Sequence, residues 1–204
     1  MQEQGLTDIS EVMAQIVGFQ SNRSSATTAV FKIQQDNYAL ADGPGIFAPD
    51  GSSAYHAVSG MKSSGFELEV KGEILPRWRV AGGSANARAE DRDGIRQMPQ
   101  VAKNSFTMFS AYTLPGRFSA LTIGGNVEWQ GRTTADGEGP NGETYSQGSL
   151  TVVDLLASYR FTDHFSLAVH VENVFDKIYY SGLYLGSARY GEPRVVKLTP
   201  HGTL

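Results

Sequence analysis

From Leu121 to Gln130 the sequence alternates without a break: Leu121, Ile123, Gly125, Val127 and Trp129 stand against Thr122, Gly124, Asn126, Glu128 and Gln130. Period two is the mark of a strand with one apolar and one polar face. The pattern recurs where Phe66, Leu68, Val70 and Ile74 oppose Glu67, Glu69, Lys71 and Glu73. It recurs again where Phe165, Leu167, Val169 and Val171 oppose Ser166, Ala168, His170 and Glu172. A face carrying Glu67, Glu69, Lys71 and Glu73 cannot sit in a dry core, so it looks at water. The equally continuous apolar face calls for a second solvent. In hydrocarbon every backbone group must be paired inside the structure, so only helices and closed barrels cross it, and long two-faced strands point to a barrel wall.

Along the chain, strands are expected at about 29–39, 65–74, 78–89, 104–114, 121–130, 152–161, 165–171 and 192–199. The fold class is therefore all-β: an antiparallel up-and-down meander of about eight long strands, with one short N-terminal helix. That helix is expected over 7–18, where Asp8 and Glu11 can form a capping box. Ile9, Val12, Met13, Ile16 and Val17 then share a face, and Gly18 supplies a stop. Short turns at 115–117 and 162–164 alternate with long loops at 40–58, 90–102, 131–148 and 177–191. Short periplasmic turns and long external loops give outer-membrane barrels this asymmetry. Soluble sandwiches have shorter strands and more even loops.

Composition removes other classes. The net charge is −4 with no run of like charges, so no nucleic-acid partner is expected. There are no cysteines, which excludes disulfides and thiolate metal sites. No apolar stretch approaches the roughly 20 residues of a spanning helix. The opening Met1-Gln2-Glu3-Gln4-Gly5-Leu6 has no basic region followed by an apolar core, so no export signal is read there.

Five phrases then narrow the class. They are Phe31-Lys32-Ile33-Gln34-Gln35-Asp36-Asn37, Ser63-Ser64-Gly65-Phe66-Glu67-Leu68-Glu69-Val70, Val152-Val153-Asp154-Leu155, Glu172-Asn173-Val174-Phe175-Asp176-Lys177 and Tyr190-Gly191-Glu192-Pro193-Arg194. In this order and spacing, residues 29–199 resemble the C-terminal part of a TonB-dependent siderophore receptor. Residues 5–20 resemble the opening of that family's plug domain. The resemblance implies three parts: 1–20 a remnant of the plug start, 21–28 a junction, and 29–204 a C-terminal barrel segment. Most of the plug and roughly two-thirds of a ~22-stranded barrel have no counterpart, and the TonB box is not visible. The chain thus resembles a receptor with a large internal deletion.

The resemblance implies energy-coupled uptake of an iron(III)-siderophore across the bacterial outer membrane, with the siderophore, TonB and membrane lipid as partners. Such a partial receptor is expected not to transport as it stands. By the same analogy Tyr145, Tyr184, Arg189 and Tyr190 are the expected ligand-facing loop residues. Asn173 and Asp176 are expected to cap a periplasmic turn, with Phe175, Tyr179 and Tyr180 at the membrane interface. Pro200 is expected to end the last strand at about Thr199, and the chain does not finish on the aromatic residue usual for such barrels.

Nothing in the sequence supports an enzyme. His56, His164, His170 and His201 are scattered, no serine lies in Gly-x-Ser-x-Gly, and no catalytic group, metal site or resident cofactor is expected. Asp91-Arg92-Asp93-Gly94 opens like a calcium loop but lacks the later ligands and the bidentate Glu, so it reads as a solvated loop. Two alternatives remain. One is a non-transporting small outer-membrane barrel or gene-fragment remnant, in which eight strands close on themselves. The other is a lipocalin-like binder, which would need its apolar face turned inward.

Overall fold

Extended backbone accounts for most of the chain because alternating β-branched, aromatic and polar residues suit a pleated surface. The computed structural model describes residues 24–42, 45–137, 139, 141–184 and 187–202. The helix expected over 7–18 lies outside them. In chain order the strands are β1 (Ser25–Ala41), β2 (Tyr55–Leu75), β3 (Trp78–Glu90), β4 (Arg96–Gln97), β5 (Asn104–Thr113), β6 (Leu121–Gln130) and β7 (Thr133–Ala135). There follow β8 (Tyr145–Gln147), β9 (Leu150–Arg160), β10 (Phe165–Glu172), β11 (Tyr180–Tyr184), β12 (Ser187–Tyr190) and β13 (Val195–Gly202).

Eight of these form one antiparallel path, β1-β2-β3-β5-β6-β9-β10-β13, with β4 beside β3. Every step joins successive long strands, so the up-and-down meander holds. Two small hairpins, β7–β8 and β11–β12, stand apart from it. Among the described residues β1 and β13 are not paired with each other, so the sheet is open and not the closed eight-stranded barrel weighed above. β5, β6 and β9, at 10, 10 and 11 residues, match the roughly 9–11 residues that cross a bilayer obliquely.

Register sorts the side chains as the alternation requires. Opposed pairs Trp78 and Tyr112, Met108 and Val127, Ile123 and Ala157, and Val169 and Leu198 lie on one face. The other carries Glu67, Glu69, Arg79, Asn126, Glu128, Asp154, His170, Glu172 and Lys197. The apolar face is open, with Leu155 50% and Leu198 65% exposed, while on the polar face Asn126 and Asp154 fall to 4% and 8%. The small apolar cluster of Phe109, Ala111 and Leu156, with Ala168 against it, is on the polar side. A soluble protein of this size does not leave so continuous an apolar surface to water. On that surface the Trp78 indole N–H donates to Ser110 Oγ at 2.9 Å, as a donor facing hydrocarbon must. Across the polar face Lys197 Nζ pairs with Glu172 Oε1 at 2.8 Å.

The turns divide as expected. Pro76–Arg77, 114–120 and 161–164 lie at one end, and the described residues of 42–54, 91–103, 131–149 and 173–194 at the other. Two expectations are corrected. Asn173 and Asp176 sit at the long-loop end, not in a periplasmic turn, because β10 runs away from the short 161–164 turn. The last strand passes through Pro200, opposite Leu167, and continues to Gly202. Among the described residues β13 has a neighbour on one side only, where a missing N–H is tolerated.

Candidate functional site

The long-loop end gathers the polar and aromatic residues that have no place in the wall. Its foundation is the phrase Asn173 to Lys177. Asn173 and Asp176 have φ of 47° and 51°, the left-handed region that Asn and Asp tolerate best after glycine. The resulting turn points both side chains at backbone. The Asn173 amide Nδ2 donates to the carbonyls of Lys177 and Glu192 at 2.9 and 3.0 Å, and its Oδ1 accepts the Lys177 N–H at 2.9 Å. Asp176 Oδ1 accepts the Arg194 N–H at 3.0 Å. Below, the Asn173 N–H donates to Asp154 Oδ1 at 2.8 Å, and Asn126 Nδ2 donates to Glu128 Oε1 at 3.0 Å beside it. The two sequence phrases around 173–177 and 190–194 are thus one structural unit.

That unit carries the β11–β12 hairpin. Tyr190 is opposite Tyr180, with ring centroids 5.0 Å apart and tilted by 36°. Arg189 is opposite Gly182, and Tyr184 opposite Ser187. Ser181 Oγ donates to the carbonyls of Arg189 and Tyr190 at 3.3 and 3.2 Å. The neighbouring β7–β8 hairpin holds Tyr145 opposite Ala135. The hairpins touch through β7 and β11, and the Tyr180 N–H donates to Gln147 Oε1 at 2.9 Å.

Three of the four expected residues, Tyr184, Arg189 and Tyr190, therefore share one hairpin, and Tyr145 stands on its neighbour. Tyr180, expected at the membrane interface, belongs instead to this cluster. The hydrogen bond to Tyr190 raises its phenol above the ordinary 10.0, with Tyr145 contributing electrostatically. Tyr179 turns the other way, its ring lying against Gly191, where a side chain has no room. Burial raises its phenol, and Glu128, Asp154 and Glu192 add to the effect. Sequence reasoning missed Gln147 and Asp154. The signal for Asp154 was one carboxylate inside the apolar run Val152-Val153-Asp154-Leu155.

Chemically the cluster offers phenol rings that stack on planar conjugated groups and, in Arg189, a planar cation for oxygen anions. Among the described residues no three His, Cys, Asp or Glu side chains stand together as a metal cage. In the Asp91 loop, Asp91 Oδ1 accepts the N–H groups of Asp93 and Ile95 at 3.0 and 2.8 Å, a turn-capping use of that carboxylate. A depression of about 1000 Å³ is on the apolar face between Trp78, Tyr112, Ile123, Leu155 and Val169. It lacks convergent polar groups and is read as lipid-facing surface.

The family model "TonB dependent receptor-like, beta-barrel" matches residues 11–174. The chain belongs to this family. A TonB-dependent receptor barrel is an outer-membrane structure, and the two-faced sheet places these strands there. Among curated relatives, the ferric-pyoverdine 358 receptor of Pseudomonas putida is 35% identical over 183 residues, covering 89% of this chain and 22% of that receptor. The ferric-pyoverdine BN7/BN8 receptor of the same species is 38% identical over 178 residues, covering 86% of this chain and 20% of its own length. The crystal structure of the Pseudomonas aeruginosa ferripyoverdine receptor bound to ferripyoverdine superposes with a TM-score of 0.76 at 31% identity. The superposition covers 88% of this chain and 25% of that one. The chain thus spans about a fifth of the length of these curated relatives.

Proposed function

We propose that these strands are part of a TonB-dependent receptor that takes up a ferric siderophore of the pyoverdine class, with Tyr145, Tyr184, Arg189 and Tyr190 facing the ligand. The observation that carries this reading is the superposition on the ferripyoverdine receptor. The cluster of phenols and a guanidinium at the long-loop end supports it. In the whole receptor, force from TonB would drive passage through the lumen. Residues 1–20 are kept in this reading as the start of a plug, and 21–28 as its junction to the barrel segment, with Ser25–Thr28 of that junction already paired in β1. By themselves the 204 residues are transport-incompetent in this reading, because an open eight-strand path encloses no lumen.

Two measurements test the proposal. Ferric pyoverdine should quench the tryptophan fluorescence of the micelle-held chain saturably, and Arg189→Ala should weaken binding about tenfold, or ~1.4 kcal/mol. No saturable quenching would remove the ligand assignment. Radiolabelled iron supplied as ferric pyoverdine to receptor-deficient cells making this chain should stay at background. Uptake above background would refute transport incompetence.

A further inference from the structure

We propose that Asp154, Asn173 and Asp176 are positioning residues: they form a strut that fixes the β11–β12 hairpin, and with it the Tyr180–Tyr190 pair, over the polar side of the wall. The functional meaning rests on the reading above, but the geometry does not. Asp154 belongs to the wall strand β9, and its carboxylate holds the Asn173 N–H at 2.8 Å. The Val174 N–H donates to the Val153 carbonyl at 2.9 Å, extending the grip by one residue. From that fixed point the Asn173 amide reaches forward to the carbonyl of Lys177 and across the whole loop to that of Glu192. Asp176 repeats the crossing by holding the Arg194 N–H. Both legs of the hairpin are therefore tied to one side-chain amide and one carboxylate, and through Asp154 to the wall. The Tyr179 ring against Gly191, with the Gly191 N–H donating to the Tyr179 carbonyl at 2.8 Å, closes the same neck. Without the strut, the hairpin keeps its own ladder but loses its angle to the sheet.

Asn173→Asp isolates the strut. It preserves size, left-handed tolerance and the Oδ1 acceptor for the Lys177 N–H, and removes the two Nδ2 donors. The chain has no cysteine, so a nitroxide on Ser187→Cys, an exposed residue of β12, reports the hairpin alone. A second label on Asp163→Cys reports the opposite end. In micelles, with β-structure checked by circular dichroism, Asn173→Asp should shift the Ser187→Cys spectrum from an immobilised to a mobile form. The Asp163→Cys spectrum should not change. An unchanged Ser187→Cys spectrum in the folded variant would overturn the proposal. If Asn173→Asp does not fold, the pair Asp176→Ala and Asp176→Asn decides. Mobility should rise with alanine and be restored by asparagine, which keeps the acceptor for Arg194. Equal spectra for the two would overturn it. The spectra are read without ligand, so a failure of ferric pyoverdine to bind counts against the functional reading alone.

Discussion

The Asp154 carboxylate on β9 and the Asn173 N–H at the end of β10 meet at 2.8 Å, in a site where their residues are only 8% and 3% exposed. Nothing in strand periodicity requires an acid at position 154. Its partner is a backbone group left without a ladder neighbour where the strand gives way to the loop. Asp154→Ala should leave that buried donor unsatisfied and destabilise the chain by about 1–3 kcal/mol. Asp154→Asn keeps one carbonyl acceptor and should lose less. Urea midpoints at constant slope, followed by tryptophan fluorescence in micelles, measure the difference.

Gly65 is a close-approach point between β1, β2 and β3. A Cβ there would overlap the Asn86 carbonyl and lie 2.7 Å from Phe31 Cζ, whose ring covers the glycine from β1. Gly65→Ala should cost about 1–3 kcal/mol through this overpacking. Gly148→Ala, with nothing within 4 Å, is the matched control and should be near neutral. Equal losses for the two would show that the contact does not matter.

Leu155 lies near the middle of β9 on the apolar face, 50% exposed. If that face meets hydrocarbon, Leu155→Arg should cost ~2–4 kcal/mol for folding into lipid vesicles. Ser158→Arg, on the polar face, should cost far less. A similar penalty at both positions would contradict the assignment of faces.

Tyr180 titrates above the ordinary tyrosine value of 10.0, chiefly through its hydrogen bond to Tyr190. The bond favours the protonated phenol. Its contribution is therefore complete below the unfolded value and disappears as pH rises through the raised folded value. Alkaline titration of phenolate absorbance should show two late-titrating tyrosines in this region, Tyr179 and Tyr180, and Tyr190→Phe should return only Tyr180 toward 10.0. An unchanged curve would remove the bond from the picture.

The outcome at particular residues shows what alternation can and cannot convey. Ile123 and Val127 against Asn126 and Glu128 assign the faces of β6 correctly, because a period of two admits only two choices. The bounds of the outer strands were less legible. β1 and β2 extend to 17 and 21 residues, well beyond 29–39 and 65–74, since ladder pairing carries polar segments that have no pattern of their own. Pro200 stopped the strand in the sequence reading but not in the sheet, because its effect depends on having one neighbour or two. The hairpins β7–β8 and β11–β12 fall in segments whose sequence signals only loop, because at three to five residues their strands are too short for periodicity to register.

By itself the sequence determined the two-faced meander, the alternation of short turns with long loops and the receptor family, because these follow from local period and from phrases of adjacent residues. Only the tertiary structure decided that β1 and β13 are not paired with each other among the described residues, and that Asn173 and Asp176 stand at the long-loop end. It also decided that Tyr180 joins Tyr190 over the wall and that Asp154 holds the loop. Each of these depends on groups far apart in the chain, such as Asn173 with Glu192 and Gln147 with Tyr180. Such contacts are set by strand register and loop closure, for which local residue patterns carry no signal.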